Sequence, residues 1–123
     1  MKYLSANVLS ASDTTSQTSA KIDSEQLVGA SFHAYFGDST EAGTIQIQAS
    51  NDVCDFNYLA NSFTPTNWVN IPSATGTSTA GSPVLISLPV SNGLMSFRWL
   101  RVVYTNTTPG TSTINVNIFA VAE

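Results

Sequence analysis

The chain alternates apolar and polar residues over long stretches, and helical periodicity is scarce. In residues 27–36, Val28, Ala30, Phe32, Ala34 and Phe36 fall on one face, while Gly29, Ser31, His33 and Tyr35 fall on the other. That period of two is the signature of a strand with one buried face. Gly37 and Asp38 then supply turn chemistry. The next stretch, 43–51, directs Ile45, Ile47 and Ala49 inward and Thr44, Gln46, Gln48 and Ser50 outward. Residues 67–71 form a short strand that Pro72 is expected to stop. Residues 83–90 place Val84, Ile86, Leu88 and Val90 on one face. Segments 97–105 and 112–121 flank a turn-like run at 106–111 and read as a long antiparallel hairpin. Segments 3–11 and 17–22 add two more strands. Residues 23–28 are the best helical candidate, but the segment is too short to count as a helix. Residues 73–82, rich in Ser, Thr, Ala and Gly, fit either a strand or a loop. The total is about eight strands at the spacing of a sandwich or barrel. Without helical crossovers, their pairing must be mostly antiparallel. The expectation is a single all-β domain over residues 1–123, an antiparallel β-sandwich.

Composition supports the same reading. Charged residues make up 10% of the chain, against about 25% in a typical globular protein. Ser, Thr and Asn take their place, which favours strands and turns over helices. The net charge is -4, and the only basic side chains are Lys2, Lys21, Arg98 and Arg101. No basic patch can neutralise a run of phosphates, so nucleic acid is an unexpected partner. A membrane partner is equally unexpected, since no apolar run approaches the ~20 residues of a span. The first residues lack the continuous apolar stretch of a secretory signal. Cys54 is the only cysteine, so no intrachain disulfide can form.

Candidate chemistry is sparse. His33 is the only histidine and falls on the polar face of its strand. No nucleophile elbow or active-cysteine signature accompanies it, so no enzyme activity is expected. The loop at 51–66 gathers oxygen ligands, of which Asp52 and Asp55 are weak calcium candidates. Its spacing is not that of a dedicated calcium loop, and no metal or cofactor is expected. Phe56, Tyr58 and Trp68, with Phe63, could stack on a sugar; the plainer reading is that they close one end of the sandwich.

The two last strands carry a second apolar stripe. If Leu100, Val102, Tyr104, Ile114, Val116, Ile118 and Ala120 face the core, then Trp99, Arg101, Val103, Phe119 and Val121 face outward. Such a patch on one face calls for a covering partner, and symmetric self-association is the commonest cover. A trimer is the first expectation. The alternative is a cover from within the chain, by a loop or by residues 1–9.

Two stretches carry a family resemblance. Gly43-Thr44-Ile45-Gln46-Ile47-Gln48-Ala49-Ser50-Asn51-Asp52, followed by Asn67-Trp68-Val69-Asn70-Ile71, resembles a recurring phrase of discoidin-like, galactose-binding-like jelly rolls. Phe97-Arg98-Trp99-Leu100-Arg101-Val102-Val103-Tyr104-Thr105, with Ile114-Asn115-Val116-Asn117-Ile118-Phe119-Ala120-Val121, resembles the closing strands of that fold. The disulfide that often closes those domains cannot form here. The whole string, including Gln26-Leu27-Val28-Gly29-Ala30-Ser31-Phe32-His33-Ala34-Tyr35-Phe36-Gly37-Asp38, is also similar to small virion proteins of tailed bacteriophages that decorate capsids or build tails. This second resemblance implies a non-enzymatic structural protein located in the virion and made in the host cytoplasm. It also implies homo-oligomers and contacts with other virion proteins. The alternative function is a carbohydrate-binding, host-recognition module that binds surface glycan through residues 51–68.

Overall fold

The computed structural model describes residues 2–12, 15–25, 27–53, 62–88, 97–110 and 113–122. Nine strands run through the described residues: β1 (Lys2–Ser12), β2 (Gln17–Thr18), β3 (Ile22–Asp23), β4 (Leu27–Phe36), β5 (Ala42–Ser50), β6 (Val69–Ser78), β7 (Val84–Ser87), β8 (Trp99–Thr108) and β9 (Thr113–Ala122). No helix occurs among the described residues. The helical candidate at 23–28 instead holds the end of β3 and the start of β4, with Leu27 N–H donating to the Ser24 carbonyl and Glu25 N–H donating to Asp23 Oδ1 between them.

Two antiparallel sheets pack face to face. One has the order β1-β9-β4-β7; the other has β2-β8-β5-β6, with β3 also pairing along β8. The chain passes repeatedly between the sheets, and β1 ends up beside β9. This is jelly-roll connectivity, with β2 and β3 together occupying one strand position.

The expected hairpin of the last two strands does not form. β8 pairs with β5, β2 and β3, whereas β9 pairs with β1 and β4 in the other sheet. Alternation fixes which side chains point inward, but not which sheet a strand joins. Leu100, Val102 and Tyr104 therefore enter the core from one sheet, and Ile114, Val116 and Ile118 enter it from the other. With Phe32, Ile45, Ile47 and Ala120 they form one buried cluster. Full burial of each such aliphatic or aromatic side chain favours folding by about 1.5–3 kcal/mol.

Three irregularities depart from simple alternation. A bulge in β4 between Leu27 and Gly29 puts Leu27 in the core and leaves Val28 half-buried, reversing the expected sense at that end. Ser50, expected outward, is buried at the end of β5, where its Oγ accepts from Asp52 N–H. Pro72 does not end a strand, because β6 continues to Ser78. β6 is an edge strand, where a missing N–H is tolerated. Ser73 beside it takes a left-handed backbone, φ 66°. Gln46, from the neighbouring strand, then fills the irregularity: its Nε2 lies 2.8 Å from the Ile47 carbonyl and 3.1 Å from those of Ile71 and Ala74. The segment at 73–82 divides into the end of β6 and a turn at 79–82, in which Ser82 N–H donates to the Thr79 carbonyl.

Candidate functional site

The five outward residues expected to form one patch occupy three environments. Trp99 is 1% exposed. It stands at the end of β8, where the Arg98 guanidinium lies 3.9 Å from its ring, Lys21 Nζ 5.0 Å, and the Phe63 ring 5.8 Å. Its indole N–H donates to the Asp52 carbonyl at 3.3 Å. Sheet alternation sends Trp99 out of the central core, and the loops at that end close over it. Arg101 and Val103 lie on the outer face of the five-stranded sheet, whereas Phe119 and Val121 lie on the outer face of the other. A single continuous patch would have required the hairpin.

The outer face of the four-stranded sheet is apolar in part. Phe119, 47% exposed, stacks on Tyr3 with ring centroids 5.9 Å apart. Leu85, on β7, is the most exposed large side chain there, at 73%. Between them runs a shallow groove of about 460 Å³, floored by Ser5, Ser31 and Asn117 and flanked by His33. His33 sits beside Tyr35 at 5.6 Å. Asn7 donates to Asn117, which in turn donates weakly to the Tyr35 hydroxyl. Sequence reading missed Tyr3, Leu4 and Leu85. For Tyr3 and Leu4 a signal was present in their adjacency, which breaks the alternation of an edge strand.

β1 is the edge of this sheet. Every residue from 2 to 7 is exposed, including those on the inward-facing parity, such as Leu4 at 49%. Leu4 lies opposite Ala120, which is fully buried. The first half of β1 is therefore exposed on both faces, and the five-stranded sheet does not cover it.

The outer face of the five-stranded sheet is polar. Paired positions place Arg101 beside Gln48 and Asn70, Val103 beside Gln46 and Thr75, and Thr105 beside Thr44 and Thr77. Arg101 Nε donates to Gln48 Oε1 at 2.7 Å, and its guanidinium lies 4.4 Å from the Trp68 ring. Partial burial lowers the Arg101 pKa from its ordinary value. The Trp68 indole N–H donates to the Pro65 carbonyl at 3.1 Å.

Asp52, a weak calcium candidate, binds its own chain. Its carboxylate accepts from Thr66 N–H at 2.7 Å, Asn67 N–H at 3.0 Å and Asn67 Nδ2 at 2.9 Å. These bonds, the Asn67 backbone one foremost, hold its pKa below that of an ordinary aspartate. A depressed pKa means the tie stabilises the fold above the ordinary carboxylate range and is lost as pH falls through the folded value. An NMR titration of Asp52 should therefore give a midpoint below 3.8, the unperturbed value. A midpoint at or above that value would show that the tie does not form. Asp55, Phe56 and Tyr58, with Cys54, lie outside the described residues. No group of three or more His, Cys, Asp or Glu side chains suited to a metal occurs among the described residues.

No protein-family model and no curated protein sequence matches the chain.

Proposed function

We propose that the protein is a non-catalytic structural module that pairs with a second copy of itself through the edge of β1. The observation carrying this reading is the first half of that strand, exposed on both faces and lying at a sheet edge. An edge strand presents a row of backbone donors and acceptors that templates pairing with another chain. Proteins that remain single blunt such edges with charges, prolines or covering segments. β1 is eleven residues long and holds one charge, Lys2, and no proline; its one bulge lies near Val8, beyond the exposed half. Two copies meeting β1 to β1, antiparallel, would join their four-stranded sheets into one continuous sheet about a two-fold axis. Leu4 would then be covered from the partner side, and the stacked Tyr3 and Phe119 would extend the contact across the outer face.

A two-fold pair is the assembly this edge favours, in place of the trimer expected from sequence. The resemblance to small virion proteins supports placing such a unit in a bacteriophage particle, as capsid decoration or tail component, with other virion proteins as further neighbours. The test is solution mass by light scattering. The wild-type protein should give twice the mass of one chain. Leu4→Lys, which puts a charge where the partner strand would lie, should give the mass of one chain at an unchanged thermal midpoint. A wild-type protein that is monomeric at high concentration overturns the proposal.

A further inference from the structure

The groove beside Arg101 is separate from the proposed assembly edge and lies on the other sheet. It is lined by Ser19, Lys21, Thr64, Pro65, Trp68 and Arg101 and has a volume of about 330 Å³, within the range of small-ligand sites. Of its six described lining residues, two are cationic and none is acidic.

Arg101 is held but forms no ion pair among the described residues. Trp68 supports its plane and Gln48 takes its Nε–H. Among the described residues, both salt bridges belong to Arg98, which pairs with Asp23 and Glu25. Among the described residues, no protein acceptor is engaged by the Nη groups of Arg101. Their outer edge is a two-donor fork already oriented by stacking. Such a fork matches the two oxygens of a carboxylate, and little side-chain entropy remains to be lost on binding. Lys21 also lines the groove, with its Nζ donating to the Phe63 carbonyl. Trp68 and Pro65 supply apolar wall, and Thr64 an exposed hydroxyl. The combination of a charged fork, an aromatic wall and hydroxyls in a shallow groove suits a sugar ring that bears an acid group.

We infer that the groove between Trp68 and Arg101 binds an acidic saccharide, with Arg101 pairing its carboxylate and Trp68 bordering its ring. The inference does not depend on self-assembly, and the two can fail separately. Trigalacturonate and its methyl ester are suitable probes, because esterification removes the charge and keeps the rings. Calorimetry on the intact protein should show saturable binding of the acid, weakened by salt, and at least about tenfold weaker binding of the ester. Arg101→Gln should weaken binding of the acid by about tenfold or more, and Trp68→Ala should weaken it as well. Arg98→Gln, at a cation outside the groove, should keep wild-type affinity. Thermal midpoints would separate loss of binding from loss of fold. Equal binding of acid and ester, wild-type affinity in a folded Arg101→Gln protein, or no binding of trigalacturonate would each overturn the inference.

Discussion

Replacing Trp99 by alanine should lower the unfolding free energy by about 3–5 kcal/mol. The ring is 1% exposed, and it organises its end of the sandwich. Arg98 and Lys21 lie over the ring as cations, Phe63 packs beside it, and the Asp52 carbonyl accepts its N–H. Truncation leaves a cavity that these partners, drawn from different loops, cannot fill by one shared movement. It also leaves the Asp52 carbonyl without its indole donor. Denaturant titration measures the loss, and light scattering should show the wild-type mass. A reduced mass at unchanged stability would place Trp99 in an interface, which is where alternation alone puts it.

The second large effect is expected at Gly81. Gly81 and Ala80 are the central residues of the turn before β7, and both have positive φ, 70° and 53°. That conformation is the signature of a type I′ turn, and glycine accepts it without strain. A Cβ on Gly81 would lie 2.2 Å from the Asp38 carbonyl oxygen and 3.0 Å from Ser39 Cα. Both are backbone atoms of the connection between β4 and β5, and Gly81 N–H is bonded to the Glu41 carbonyl of the same connection. Neither side can yield without breaking that contact. Gly81→Ala should therefore cost about 2–4 kcal/mol, combining backbone strain with overpacking. Ala80→Gly is the control, since it removes a left-handed penalty of about 1–2 kcal/mol against a smaller entropic cost. Thermal unfolding should show a large fall for the first variant and none for the second. Equal small effects would mean the turn has another shape.

Much of the fold was legible because a half-buried strand writes its burial pattern directly into the residue order. Ile45, Ile47, Val84, Ile86, Leu100, Val102, Ile114 and Val116 all face the core, as their alternation implies. Sheet membership was not legible. A strand with one apolar face fits either layer of a sandwich, and the short link from β8 to β9 fits a hairpin as readily as a crossing. That ambiguity placed Trp99 and Phe119 on one imagined face. The continuation of β6 past Pro72 was also hidden, because it rests on the Gln46 side chain, which reaches the Ile71 and Ala74 carbonyls, distant in sequence, as well as that of its neighbour Ile47. The groove at Arg101 was half visible. Trp68 and Arg101 were both singled out, for different roles, and only the packing of the Arg101 guanidinium over the Trp68 ring shows that they meet.

The most direct test of the assembly claim is amide hydrogen exchange along β1. In an antiparallel edge strand, alternate amides bond to the neighbour and the rest point away from it. Pairing of β1 with a second copy predicts slow exchange at both sets over residues 2–7, with the outward set becoming fast on dilution or in Leu4→Lys. Fast exchange of the outward set at every concentration, with the β9-bonded set protected, would contradict the account and leave β1 a solitary edge.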